Sequence, residues 1–273
     1  MKKIFTIFFL IFLISSCQKN LKSDEEKNAY TDVSFDKVRV NGFITVGVGD
    51  PLPPLISSSL SGYMVGYDID LLEAAAKKLH LKIKVKAISW DEKEAILDSG
   101  EVDCIASGLS ITPDREKIYA FTQPYLKDAQ VIVTLDSAAI FTFDDLVDKC
   151  IGIQKGSTAA GLLKEHLEEK AGKYSILELD EFMDLLVALE NKKTDAIVVN
   201  LLTIYSMILR EHRPYRIFDE PLATDYYAFG FRHKDIKLRD MVQKALEQIQ
   251  FEGTVKEIST KWFGNDISII KIN

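Results

Sequence analysis

Along this chain the apolar positions switch repeatedly between runs of strand length and a three-to-four-residue spacing of helical length. Residues 43–48 form an apolar run that predicts a strand, followed by the proline-rich loop Gly49-Asp50-Pro51-Leu52-Pro53-Pro54-Leu55. Ile69, Leu72, Ala76 and Leu79 then share one helical face, with Asp68 as the expected N-cap and Asp70 and Glu73 in the first turn, where acids suit the helix dipole. Residues 82–87 alternate lysine with apolar residues, the mark of a strand with one wet face. Ser89-Trp90-Asp91-Glu92 has the spacing of a capping box for a helix that runs to Ser99 and ends at Gly100, and residues 104–106 read as a short buried strand. Strand, helix, strand, helix and strand with short connections predict a parallel sheet covered on both faces.

A second alternation follows the strand 129–135. Thr142-Phe143-Asp144-Asp145 opens a helix, 151–153 is a strand, and Gln154-Lys155-Gly156-Ser157-Thr158 precedes a helix from Ala159 to about Lys170. Strands at 176–179 and 196–199 flank a helix at 181–190, and 201–210 is helical. The last strands, 216–218 and 226–231, lead to an amphipathic helix carrying Leu238, Met241, Val242, Ala245, Leu246 and Ile249. These closing elements are expected to return to the first lobe, with crossings near Lys127-Asp128 and between Pro221 and Asp225. The expected fold is α/β with two lobes, residues 37–127 plus 222–273 and residues 128–221. Each lobe is a mostly parallel sheet flanked by helices, and a two-crossing hinge joins them.

Ahead of the first strand the pattern is different. Met1-Lys2-Lys3, the apolar run 4–14 and Ser15-Ser16-Cys17 have the order of an export signal, too short to span a membrane as a helix, so residues 1–16 are expected to be removed. Residues 17–36 are polar with almost no periodicity and read as a flexible tether. The 273 residues are 47% hydrophobic and 27% charged with a net charge of -7, the balance of a soluble globular protein with no call on nucleic acid. Four histidines are scattered and no Cys or His pair has metal-ligand spacing, so neither metal nor cofactor is expected. Cys104 and Cys150 fall in different lobes, where a disulfide would obstruct hinge motion, and are expected to be free.

The densest candidate chemistry lies between Asp103 and Arg115. Ser107 and Gly108 let the backbone turn and be approached closely, Ser110 supplies a hydroxyl, and Arg115 offers a planar fork of donors suited to a carboxylate. Spacing alone suits a site for a small organic acid as well as it suits helix capping with a surface ion pair. Gly156-Ser157-Thr158 at a helix N-terminus is a potential anion site. Trp90 fits either a core position or a stacking platform at the strand ends.

The stretch Ser-Gly-Leu-Ser-Ile-Thr-Pro-Asp-Arg ending at Arg115 resembles the central motif of the bacterial extracellular solute-binding proteins that deliver polar amino acids to ABC importers. Gly66-Tyr67-Asp68-Ile69-Asp70-Leu71 resembles that family's Gly-Phe-Asp-Ile-Asp-Leu signature, and Lys261-Trp262-Phe263-Gly264 its C-terminal one. The resemblance runs from about Asp36 to Gly264. It implies that Ser107, Gly108, Ser110 and Arg115 hold a ligand α-carboxylate, and that the loop Gly156-Ser157-Thr158 closes on it from the opposite lobe. Trp90 becomes a ligand-facing aromatic. Asp50 and Leu52 belong to the same site, and with Leu52 and Leu55 where the family carries aromatics, one wall is aliphatic. The family's usual ammonium-binding aspartate corresponds to Asn200, which is also a good N-cap. Either Asp50 or another acid supplies the missing charge, or the ligand lacks a standard ammonium. Ile14-Ser15-Ser16-Cys17 resembles a lipobox with Cys17 lipidated, which implies tethering at the cell envelope, periplasmic or outer, through lipid alone.

Together these imply a monomeric, non-enzymatic lipoprotein that captures a small amino acid or related carboxylate and presents it to the membrane subunits of an ABC importer. The alternative is a periplasmic enzyme on the same fold, resembling cyclohexadienyl dehydratases. Such an enzyme needs a cleft acid of raised pKa.

Overall fold

The computed structural model describes residues 31–168 and 174–272, so the expected export signal, Cys17 and most of the tether lie outside the described residues. Asp32–Asn273 form one compact unit. In chain order its elements are α1 (Ser34–Asn41), β1 (Phe43–Val48), a hairpin of β2 (Ser57–Ser58) and β3 (Met64–Val65), α2 (Tyr67–Lys78), β4 (Lys82–Ala87), α3 (Lys93–Ser99), β5 (Cys104–Ile105), β6 (Tyr119–Phe121) and β7 (Leu126–Leu135). There follow β8 (Cys150–Gln154), α4 (Ala159–Glu168), β9 (Ser175–Leu179), α5 (Phe182–Glu190), β10 (Ala196–Asn200), α6 (Leu201–Glu211), β11 (Tyr215–Ile217), β12 (Ala223–Tyr227), β13 (Gly230–Arg232), α7 (Ile236–Phe251) and α8 (Thr254–Phe263).

The strands form two main sheets. The first has the order β4-β1-β5-β13-β6, and the second β11-β7-β10-β8-β9 with β12 also paired to β7. In each sheet one strand runs against the rest: β13 in the first and β7 in the second. The chain leaves the first sheet through residues 122–125 and returns through 228–229. The segments expected as crossings are instead paired strands, with Asp128 opposite Asp225 and Leu126 opposite Tyr227. The crossings lie side by side, Thr122 N–H donating to Phe229 O at 3.0 Å and Tyr125 N–H to Tyr227 O at 2.9 Å. The expected single strand 226–231 is therefore split between the two sheets.

Helices α2 and α7 cover the first sheet, where Tyr67 and Phe263 meet edge to face at 5.0 Å. A separate apolar cluster, including Phe143, Leu146, Ile151, Leu163, Val198 and Phe218, fills one side of the second sheet. Cys104 is buried and Cys150 half-buried, both as free thiols. Residues 32–36, expected within the tether, belong to the folded unit because they finish another helix. Asp32 Oδ2 accepts the N–H of Lys237 at 2.6 Å and the Ser34 hydroxyl accepts that of Leu238 at 3.0 Å, at the open N-terminus of α7.

Two expected caps are not made. Glu92 N–H donates to Ser89 O at 3.2 Å in a plain turn, and α3 begins one residue later with neither side chain capping it. Asp68 does not cap α2, whose N-cap is Gly66, where a Cβ would lie 2.0 Å from the Leu55 carbonyl oxygen. Asp68 is fully buried and reaches across to accept the N–H groups of Ser107 and Gly108, each at 3.0 Å. Those residues have φ of 86° and 63°, and two left-handed residues in succession turn both N–H groups toward one oxygen. For a serine that conformation costs about 1–2 kcal/mol, which charge-assisted hydrogen bonds offset.

Burial pushes the Asp68 pKa up to about 6, against the opposing pull of the Gly108 N–H, the Tyr125 hydroxyl and the Ser107 N–H. Asp68→Ala leaves two buried N–H groups unpaired, each costing about 1–3 kcal/mol, whereas Asp68→Asn keeps an acceptor oxygen and loses less. Because the folded pKa is raised, this group favours the fold most at low pH, and that contribution is lost as pH rises through about 6. Thermal melts between pH 4 and 7.5 are expected to show a shallower dependence in Asp68→Asn than in the wild type.

Candidate functional site

Strands β1, β5, β8 and β10 deliver their carboxyl ends to one polar cavity, the position at which open α/β sheets bind ligands. Gly49, Asp50 and Leu52 follow β1, while Ser107, Gly108 and Ser110 follow β5. Ser157 and Thr158 follow β8, and Asn200 ends β10. Arg115, on a short 3-10 turn, and Trp90 complete the expected residues on the wall, and Gly156 is the expected one that does not line it. Gln130, Gln154, Phe182, Leu185, Val198 and Val199 also line it. Of these, Gln154 was the one open to sequence reasoning, since it closes a predicted strand just before the Gly156 loop.

Arg115 is buried, donating from Nη1 to Ser110 O at 3.2 Å and from Nη2 to Gly156 O at 2.9 Å. Burial lowers its pKa, with Tyr119, Glu94, Asp225 and Tyr227 pulling it back toward the ordinary value. A guanidinium has five donors, so three remain uncommitted among the described residues after these two bonds.

Gly156 turns its carbonyl, rather than its amide, toward the first sheet's loops. The same oxygen accepts from Lys93 Nζ at 3.0 Å, and Lys93, though 2% exposed, also donates to Trp90 O at 2.9 Å and pairs with Glu94 at 3.3 Å. Burial and then the Arg115 charge lower the Lys93 pKa, while Glu94 raises it. Ser157 is committed to the backbone just before α4, its hydroxyl donating to Gln154 O at 2.6 Å and accepting the Ala159 N–H at 3.3 Å. Of the expected clamp Gly156-Ser157-Thr158, therefore, Thr158 is the residue on the wall without such a commitment among the described residues.

The Trp90 ring lies on Gly49, where an added Cβ would come within 2.9 Å of it, and packs with Leu97, Val102, Ile105, Leu109 and Tyr119. It is both wall and core. Asp50 accepts from Gln154 Nε2 at 3.3 Å; burial and then Glu181 raise its pKa, as do Asp184 and Asp180, against the Phe182 N–H. Ser110 donates to Asp225 Oδ2 at 2.8 Å, and Gln130 Nε2 donates to the same oxygen at 2.9 Å. Asn200 makes no capping bond to α6. The Leu202 N–H there is taken by Asp128 Oδ1 at 3.1 Å, which frees the Asn200 amide to bond Tyr227.

Two α/β sheets whose loops meet around a cavity with a buried arginine define the class of two-lobed solute-binding proteins. The sequence profile of the bacterial extracellular solute-binding proteins, family 3, matches residues 44–265, and the chain belongs to that family. The L-cystine-binding protein TcyJ of Escherichia coli (strain K12) is 26% identical over 236 residues, 86% of this chain and 87% of its own length. The crystal structure of Tv2483 bound to L-arginine superposes with a TM-score of 0.85 at 31% identity, covering 89% of this chain and 99% of that one. A substrate-binding protein of an ABC uptake transporter from Streptococcus pneumoniae with bound histidine gives 0.81 at 29% identity, with 87% and 98% covered.

Gly156 has φ +67°, and an added Cβ would stand 3.0 Å from the Asp91 Cα and 3.1 Å from Lys93 Nζ. Gly156→Ala is expected to cost at least about 1–2 kcal/mol of backbone strain, which lowers Tm by roughly 2–4 °C per kcal/mol. Gly161→Ala, within α4 and with nothing within 4 Å of the new methyl, is expected to hold or raise Tm, so paired thermal melts separate a local contact from a general intolerance of alanine.

Proposed function

We propose that this chain is the substrate-binding component of an ABC importer, taking an α-amino acid whose carboxylate meets Arg115 and the loop 107–110. The observation that carries this reading is a buried guanidinium on the wall of a polar cavity with donors to spare. Asp50, the acid on that wall, stands in an excess of negative charge from Glu181, Asp184 and Asp180, which a positively charged group on the ligand relieves. An amino acid with a cationic side chain answers both ends. The similarity to structures bound to arginine and histidine supports that choice.

In this reading the two lobes, expected as residues 37–127 with 222–273 and residues 128–221, divide instead at 122–125 and 228–229, where the hinge bends, since β12 pairs with β7 in the second sheet. The ligand shifts an open-closed equilibrium by touching both lobes, and the closed form is what the membrane subunits receive. The Lys93 and Arg115 bonds to the Gly156 carbonyl hold the closed arrangement. The protein acts as a monomer at the cell envelope, held through lipid on Cys17.

A thermal-shift panel of L-arginine, L-histidine, L-glutamine and L-cystine tests the ligand class, since a ligand at 100 times its Kd adds about 2.7 kcal/mol. Arg115→Ala is expected to cost about 2–5 kcal/mol of binding with the circular dichroism unchanged. Calorimetry showing affinity within a few-fold of wild type rejects the carboxylate assignment. Trp90→Phe is expected to retain binding and Trp90→Ala to weaken it; equal affinities make Trp90 a packing residue alone. The raised Asp50 pKa is the feature a dehydratase on this fold would use. Turnover of prephenate or arogenate by the pure protein would establish that activity instead.

A further inference from the structure

The residue at the end of β10 is an amide, and a chain of hydrogen bonds behind it decides which of its two ends faces the cavity. Asp128, buried on β7, receives three donors: the Ala129 N–H at 2.8 Å and the Leu202 N–H at 3.1 Å on Oδ1, and the Tyr227 hydroxyl at 2.9 Å on Oδ2. A carboxyl group receiving donors on both oxygens acts as an ionised acceptor. Burial raises its pKa to about 6, which leaves it ionised at neutral pH. Tyr227 is fully buried and has given its one proton to Asp128, so it meets Asn200 with a lone pair and requires a donor there. Asn200 Nδ2 supplies it. The two ends of an amide point apart, so Oδ1 is turned away from Tyr227, and among the described residues no donor bonds it.

A second amide is held the same way. Gln130 is the register partner of Asn200 on the neighbouring strand, so both side chains lie on one face of the sheet and both line the cavity. Its Nε2 donates to Asp225 Oδ2 at 2.9 Å, which turns Oε1 away from that acid. Asp225 is buried and stands directly opposite Asp128 across the β7–β12 pair. Like charges directly opposite are destabilising, and each of these two carboxylates is offset by its own set of donors.

We propose that Asp128, through Tyr227, and Asp225 are positioning residues that lock the amides of Asn200 and Gln130 with their carbonyl oxygens toward the cavity, so that the ligand ammonium meets two oriented neutral acceptors. This rests on the amino-acid reading of the cavity. A carboxylate at position 200 would accept with either oxygen and need nothing behind it. An amide accepts at one end and repels N–H donors with the other, so its orientation is the specificity.

The test is calorimetric titration of L-arginine, L-histidine and L-glutamine into the wild type, Tyr227→Phe, Asn200→Asp and the double variant, each checked for a native circular dichroism spectrum. With the amino acid that binds, Tyr227→Phe is expected to weaken affinity tenfold or more in the Asn200 background and less than about twofold in the Asn200→Asp background. Toward the matching analogue without the α-amine, such as 5-guanidinopentanoate for arginine, Tyr227→Phe is expected to change nothing. Asp128→Asn is a second, isosteric variant. Its Nδ2 donates to Tyr227, which then donates onward and turns the Asn200 amide around, so it should show the same selective loss. An unchanged affinity in Tyr227→Phe, or an equal loss in both backgrounds or for the analogue, shows a structural role and overturns the proposal. A wild type that binds none of the three amino acids overturns the amino-acid reading itself, a separate result that removes the basis of this inference.

Discussion

Two N–H groups donated to one buried carboxylate oxygen underlie the rest of the site. Asp68 holds Ser107 and Gly108 in a conformation that a serine does not adopt unaided, and that turn ends β5 and sends the chain through Ser110 to Arg115. Without it the guanidinium has no fixed point from which to reach the cavity. The interaction also joins the first covering helix to the central strand, so packing of α2 and placement of the loop are set together. The carboxylate is costly to bury, and the two N–H donors on one of its oxygens offset part of that cost.

The elements were legible in the sequence because their signal is local. The period-two lysines of β4, the apolar run of β1 and the amphipathic stripe of α7 state their burial in the spacing of their own residues. What was not legible was where polar side chains go. Asp68, Ser89 with Glu92, and Asn200 each had the chemistry and position of a helix cap, and none caps its helix. Asp68 and Asn200 fail to do so for one reason: a distant group, the Ser107 and Gly108 amides in one case and Tyr227 in the other, is better placed to take the bond. The motif around Arg115 was readable since it packs several groups of one site into nine residues. Gln130, Asp128, Asp225 and Tyr227 were silent, being spread over two strands almost 100 residues apart in the chain.

Like charges are brought close behind the cavity wall, each pair offset in part by an opposite charge: Glu94 pairs with Lys93, and burial raises the Asp225 pKa against the pull of Arg115. Burial and then the Arg115 charge lower the Lys93 pKa, and burial, with Asp225 as a smaller contributor, raises that of Asp128. Each pair is buried and each is held by hydrogen bonds to uncharged groups, the Gly156 carbonyl on the basic side and hydroxyl or amide donors on the acidic side.

The bonds from Asp32 and Ser34 to the start of α7 bear on how the chain reaches this state. They join residues more than 200 positions apart, the first of the compact unit with the last large helix. A chain made from its amino end carries the caps of α7 long before α7 exists, and bringing the two together closes a loop that spans nearly the entire unit. Closing so long a loop costs only slightly more than closing a short one, since the entropy grows with the logarithm of length. The delay, however, is set by synthesis. Until α7 is made, Asp32 and Ser34 lack the N–H groups they cap, and the first sheet, whose β13 arrives equally late between β5 and β6, lacks its fourth strand. The amino-terminal caps and the middle of the first sheet thus both depend on one stretch of chain, from β13 to the start of α7.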